Sequence, residues 1–185
     1  MQSTYFSPSA ADKETFEQDG FLLVRELFDE DEARTLGETA RRDARTWQDA
    51  TARDDATGNR TILAVRDELG DDIYSSIARS RRVADSMSFL LGEEVYHYHH
   101  KLMLKEPRVG GAWEWHQDYG YWYNFGCLFP NMASCYVAID PAVRANGCLQ
   151  VLRKSHTLGR LDHGKVGGQT GADPERMPAV LERFE

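Results

Sequence analysis

The stretch Trp113 to Trp122 (WEWHQDYGYW) constrains this chain more than any other. At its centre His116 and Asp118 flank Gln117, and in an extended strand residues i and i+2 project from one face at a separation of roughly 7 Å. One divalent ion can bridge an imidazole and a carboxylate so placed. The pair alone is weak ground, because a His-X-Asp sequence also arises by chance and then forms an ordinary surface hydrogen bond. Its surroundings narrow the choice: tryptophans and tyrosines crowd the stretch and supply the apolar wall that ligand pockets set around a few polar groups. On the residues alone two readings stay open, a metal site and a plain aromatic strand end.

A chain of 185 residues, 41% hydrophobic and 28% charged, holds enough apolar material for one domain over residues 1–185 with a properly buried core. The formal charge of −8, with no basic run, argues against a nucleic-acid or anionic-membrane surface and leaves a small molecule as the expected partner. Cys127, Cys135 and Cys148 lack any Cys-X-X-Cys spacing, which counts against zinc ribbons and disulfide scaffolds and fits a reducing cytoplasm. Met1 to Pro8 has neither a basic nor an apolar leader character, so the expectation is an unexported, cytoplasmic, non-membrane protein.

Hydrophobic spacing divides the chain into a helical support over about residues 9–92 and a strand-rich part over about 93–185. Ser9 to Gln18 predicts a short helix stopped at Asp19-Gly20, followed by a strand over Phe21–Arg25. Asp29 caps a longer helix on which Ala33, Leu36, Ala40 and Ala44 recur at three- and four-residue steps. Thr51–Asn59 reads as a surface loop and Thr61–Val65 as a strand. Asp71 or Asp72 caps Ile73–Arg79, and Ser80 caps Val83–Leu91, which ends at Gly92. The longest expected strand runs from Glu94 to Lys105, with His97, His99 and Lys101 on one face and Tyr96, Tyr98, Leu102 and Leu104 on the other. Past the aromatic stretch, Tyr119–Pro130 reads as a lid, a pocket rim or a hydrophobic plug. Met132–Asp140 and Cys148–Leu152 are strands, the second launched by the Asn146-Gly147 turn. Arg160–Pro174 is a loop holding His163, and Met177–Glu185 an amphipathic helix. These elements describe a mainly β fold with flanking helices, a β-sandwich or jelly roll.

Histidines beside tyrosines on a strand are more often unligated than metal-bound, so His97 and His99 are weighed down as ligands. Lys101 is more informative: on the face of His99, it can neutralise an anionic cosubstrate.

Three segments in order carry a family resemblance: Phe21-Leu22-Leu23-Val24 after Asp19-Gly20, then His116-Gln117-Asp118, then Asn146-Gly147-Cys148-Leu149-Gln150-Val151-Leu152-Arg153-Lys154-Ser155-His156. Over about residues 12 to 165 the chain resembles the phytanoyl-CoA dioxygenase family. That resemblance implies a double-stranded β-helix of the jelly-roll or cupin kind, and a non-haem Fe(II) held by two histidines and a carboxylate. It also implies 2-oxoglutarate as cosubstrate, O₂ as oxidant, and a hydroxylated small organic or acyl product. Three ligands on one face of an octahedral ion leave two positions for the chelating keto-acid and one for O₂. Matched residue by residue, His116 and Asp118 are the first histidine and the carboxylate. Related halogenases carry a small residue in place of Asp118, so hydroxylation is the expected outcome. Lys101, Gln117 and Tyr136 fall near positions that line the keto-acid site, and Trp122 resembles a substrate-side aromatic residue.

Two departures stand out. Arg153-Lys154 replaces the family's Pro-Gly before Ser-His, which alters a turn. The family's distal iron-binding histidine and its arginine for the keto-acid lie on strands beyond the Ser-His loop, and the chain ends at Glu185 before such a segment. The jelly roll is therefore expected to be incomplete at its C-terminal end. Neither His156 nor the loop histidine His163 is a good replacement ligand. The alternative to a dioxygenase is a truncated or inactive jelly-roll binding protein that uses the cavity around Trp113, Trp115 and Trp122. A zinc hydrolase is weaker still, since it also needs three protein ligands and a general base.

Overall fold

The computed structural model describes residues 6–184, so the reading of Met1–Pro8 falls largely outside the described residues, as does Glu185 at the expected end of the last helix. The first half is framed by helices whose ends follow from local chemistry. Ser9 and Asp12 form a reciprocal capping box at the start of α1 (Ala10–Asp19), and Gly20 closes it in the left-handed region at φ 82°. Asp29 and Glu32 repeat the box at the start of α2 (Glu30–Arg42). Asp72 accepts from the Tyr74 and Ser75 amides to start α3 (Ile73–Ala78), and α4 (Arg81–Leu91) stops at Gly92, φ 78°. Ser80 occupies the N-cap of α4 as expected, but its hydroxyl makes no capping bond.

Three antiparallel strands form the main sheet in the order β1 (Thr51–Asp54), β2 (Arg60–Arg66), β3 (His100–Leu104). Registers are Thr51 with Leu63 and Ile62 with Leu104. β2 is paired on both edges, and its consecutive residues Leu63 and Ala64 are both buried, so both faces of the central strand are covered. Leu36 of α2 and Leu90 of α4 are the buried apolar residues from the helical side. Polar bonds tie the layers: the Tyr74 hydroxyl donates to the Leu36 carbonyl, the Trp47 indole to Ala40, and Arg82 reaches both Glu32 and the Leu27 carbonyl.

Several expected strands are absent. Phe21–Val24 is irregular, and of Glu94–Lys105 only His100–Leu104 enters the ladder. Met132–Asp140 and Cys148–Leu152 have the alternation of strands, but among the described residues no strand pairs with them, and Tyr136, Leu149 and Val151 are exposed. Alternation specifies a face; a strand also needs a neighbour's backbone groups. The converse error is at Thr51–Asn59, read as loop, which contains β1, and at Arg160–Pro174, which contains a two-stranded hairpin, β4 (His163–Val166) and β5 (Gln169–Ala172). α5 (Asp118–Trp122) and α6 (Met177–Arg183) complete the chain. Among the described residues six α-helices stand beside five short strands, so the mainly β expectation gives way to helices with antiparallel strands.

Late residues return to the N-terminal helices. Arg153 pairs with Asp19 at 2.8 Å, the Lys154 amide donates to the Asp19 carbonyl, and the His156 ring contacts the Glu17 carbonyl at 2.9 Å. A Cβ on Gly20 would run into the His156 ring. Lys154 sits at φ 67°, where the family's glycine would be at ease. The left-handed region costs a non-glycine residue about 1–2 kcal/mol, and glycine's extra chain entropy returns about 0.5–1 of that. Lys154→Gly should therefore stabilise the protein by about 0.5–1 kcal/mol in urea unfolding; an unchanged or lower midpoint counts against the strain.

Asp55 is buried at the β1–β2 turn and accepts from Thr57, Asn59 and, at 2.9 Å, the Ala112 amide. The Thr57 hydroxyl foremost, against the opposing effect of burial and helped by these amides, holds its carboxyl down at about 2. The ordinary unfolded value is about 3.9, so this stabilisation is present above that pH and is lost as pH falls towards the folded value. Asp55→Asn should lower the urea midpoint near neutral pH, because its NH₂ would face the Ala112 N–H, and should flatten the loss of stability between about pH 4 and 2. A variant that keeps the wild-type acid profile would remove Asp55 from that role.

Candidate metal centre

The aromatic stretch is not a regular strand. Residues 113–117 run irregularly off the β2 edge, where the Gly111 amide donates to the Arg60 carbonyl, and Gln117 caps the short helix α5. His116 and Asp118 nevertheless converge, with Nε2 of the imidazole 3.2 Å from Oδ1 of the carboxylate. The ring's other nitrogen, Nδ1, donates to the Glu114 carbonyl at 2.9 Å, which directs Nε2 at Asp118. The carboxylate is held from its remaining sides by the Ser134 hydroxyl at 3.0 Å and the Tyr121 hydroxyl at 3.3 Å.

Burial of Asp118 by itself would raise its pKa, but the hydrogen bond and charge of His116, the charge of Lys101 and the Ser134 hydroxyl together bring it down to about 2. Burial likewise works to lower His116, and the bonds to Asp118 and the Glu114 carbonyl outweigh it and raise the imidazole. Burial and the adjacent carboxylate push the Tyr121 phenol up, so it remains a donor. Nδ1 bonded to a backbone carbonyl is how metal-binding histidines are commonly fixed, and an imidazole beside a carboxylate offers donors that suit a divalent ion. Among the described residues no third His, Cys, Asp or Glu joins them as a ligand cluster.

Lys101 places its ammonium 5.2 Å from the Trp122 ring, and desolvation lowers its pKa while Asp118 opposes the shift. Trp122 is buried and touches Tyr98 at 5.0 Å and His99 edge-on at 4.8 Å between ring centroids. Desolvation, then Lys101, lowers the His99 pKa, in keeping with a packed neutral ring. Two expected members stand apart. Gln117 has its amide tied up, accepting from the Leu161 amide at 3.0 Å and donating to the Gly159 carbonyl at 3.2 Å. Tyr136 is exposed on the unpaired 132–140 segment. The two clefts along α2, about 470 and 290 Å³, are lined by residues 28–45 and by Ile73 and Ile77, away from the pair.

Sequence reasoning missed the residues that hold the pair. Tyr121 lies three positions after Asp118, the spacing of one helical turn, which was legible only if α5 had been foreseen. Gln169 is almost fully buried and bridges the aromatic segment with both amide atoms, accepting from the Glu114 amide and donating to the Ala112 carbonyl, each at 2.9 Å. His163, read as a loop residue, donates from Nδ1 to the Leu161 carbonyl and accepts the Gln117 amide at Nε2, both at 2.9 Å. With both nitrogens engaged it is not poised as a ligand.

His116 and Asp118 thus meet at the junction of an antiparallel sheet and a short helix. The family model for phytanoyl-CoA dioxygenase (PhyH) matches residues 16–181, and the chain belongs to that family. It is 30% identical over 154 residues to an ectoine dioxygenase from Bordetella parapertussis, covering 80% of this chain and 49% of that protein. A second ectoine dioxygenase, from Stutzerimonas stutzeri, is 27% identical over 157 residues, covering 81% and 51%. L-proline trans-4-hydroxylase from Streptomyces griseoviridis is 30% identical over 90 residues, covering 48% of this chain and 34% of that protein. The chain spans about half the length of the ectoine dioxygenases it matches.

A Cβ on Gly120 would run into the His163 ring and come within 2.9 Å of the Leu161 carbonyl. Gly120→Ala should therefore force the hairpin away from α5 and cost about 1–3 kcal/mol in urea unfolding. Wild-type stability in that variant would show the packing to be looser than described.

Proposed function

We propose that this chain supplies the iron-binding pair of an Fe(II)- and 2-oxoglutarate-dependent dioxygenase that hydroxylates a small organic or acyl substrate. The observation that carries the reading is the convergence of His116 Nε2 and Asp118 Oδ1 at 3.2 Å with Nδ1 committed to a backbone carbonyl. His116 and Asp118 would hold the ion. Bound Fe(II) supplies O₂ activation coupled to oxidative decarboxylation of the keto-acid. The chain's own groups do the positioning: the Glu114 carbonyl fixes the imidazole tautomer, and the Ser134 and Tyr121 hydroxyls orient the carboxylate. Lys101 offers a positive charge to the anionic cosubstrate as a point charge rather than a bidentate clamp. Trp122 and the rings around it keep the substrate side apolar. Support for Gln117 and Tyr136 on the cosubstrate side is weaker, because the first is bonded to residues 159–161 and the second faces solvent.

The contacts of Asp19 with Arg153 and of Arg41 with Asp140 support one domain for helical and later parts alike. Three free cysteines support a reducing, cytoplasmic setting, and no helix among the described residues is long and apolar enough to cross a membrane. A second reading, a non-catalytic binding protein, is favoured by one observation: the ligand set among the described residues stops at two.

Calorimetry with Fe(II) under anaerobic conditions should show binding that disappears in His116→Ala and in Asp118→Ala. Metal affinity unchanged by both substitutions would overturn the metal centre. Succinate formed from 2-oxoglutarate, Fe(II) and O₂ once a downstream segment carrying a histidine and an arginine is restored then separates the readings, since metal binding without turnover in that extended chain selects the binding protein.

A further inference from the structure

His163 and the hairpin it begins are not accounted for by the ligand pair, and their contacts converge on its backbone. The Gln117 N–H, in the peptide unit joining His116 to Gln117, donates to His163 Nε2 at 2.9 Å. An imidazole accepts there only when its proton is on Nδ1, and Nδ1 is bonded to the Leu161 carbonyl at 2.9 Å. The Gln117 side chain completes the loop by accepting the Leu161 amide, and Arg160 donates to the Gly120 carbonyl at 3.1 Å while stacking on Tyr123. The His163 ring also lies 5.7 Å from that of Tyr121, whose hydroxyl holds Asp118. No side chain can be added at Gly120 without displacing it.

We infer that His163 is a positioning residue for the metal pair: its Nε2 lone pair fixes the Gln117 peptide unit, and thereby the angle at which His116 and Asp118 face one another. The role rests on the metal-centre reading, and it differs from that of a ligand, which would need Nε2 free. As a direct ligand for Fe(II) or Co(II), an amide oxygen is much poorer than an imidazole. A positioning acceptor can be replaced by any group that presents an oxygen at the same point, and glutamine does so.

The test uses the whole chain with Co(II) as probe. Isotopic labelling should first show a scalar coupling across the hydrogen bond between Gln117 N and His163 Nε2 in the metal-free protein. Co(II) affinity should fall about 10–100-fold in His163→Leu, as it does when groups that orient metal ligands are removed. His163→Gln should recover most of that affinity and the wild-type visible absorption of the Co(II) form. Absence of the coupling, unchanged affinity in His163→Leu, or a glutamine variant as weak as the leucine one would each overturn the assignment. If the coupling is present but the wild-type chain binds no Co(II), the metal-centre reading itself fails, whereas tight Co(II) binding indifferent to His163 removes only the positioning role.

Discussion

The site depends on where one proton sits. His116 gives its Nδ1 hydrogen to the Glu114 carbonyl, so a neutral ring points a bare lone pair at a carboxylate 3.2 Å away. Two acceptors cannot stay that close without a positive charge between them or on one of them. A second proton on the imidazole supplies such a charge, and the neighbouring carboxylate raises the pKa of His116 as that of Asp118 falls. A divalent cation satisfies the same requirement and must displace that proton to do so. On the proposed metal-centre reading, proton and metal would be alternative occupants of one position, set by a backbone carbonyl two residues upstream.

Holding that geometry falls to polar bonds more than to apolar packing. The segment from Ala112 to Gln117 belongs to no regular ladder, so its backbone groups need individual partners. Asp55 takes the Ala112 amide, Gln169 takes the Ala112 carbonyl and the Glu114 amide, the Ala172 amide takes the Trp115 carbonyl, and His163 takes the Gln117 amide. Each is supplied by the β1–β2 turn or by the β4–β5 hairpin, elements far apart in sequence. A buried amide such as Gln169, left without one partner, costs more than its bond contributes, which makes the arrangement all-or-none.

How much of this was legible in the sequence follows from the range of the forces concerned. Caps act over three or four residues, so Asp29, Gly20 and Gly92 marked helix ends correctly, and Asp72 is the one of the two aspartates offered that caps α3. The His116–Asp118 pair was also visible, because proximity in sequence guaranteed proximity in space, although the strand geometry invoked for it was wrong. The unpaired segments around Tyr136 and Val151 were over-read, since alternation carries no information about a partner. The hairpin was the reverse case. Gly167-Gly168 between Val166 and Gln169 is a two-residue turn signal, with Gly167 at φ 60°, and it was submerged in a glycine-rich stretch taken for loop. Missing the hairpin meant missing the bridging amide and the second histidine together.

Charge balance bears on what the finished site would accept. Asp118 contributes one negative charge and Lys101 one positive, while His116 is neutral once a cation has replaced its proton. A divalent ion then leaves an excess of two positive charges beside a wall of aromatic rings that screens poorly. A dicarboxylate cancels that excess and a neutral ligand does not. Lys101 is exposed on β3, and its ammonium lies 5.2 Å from the Trp122 ring. On the proposed reading, an anionic cosubstrate would therefore meet Lys101 where its ammonium lies over the Trp122 ring.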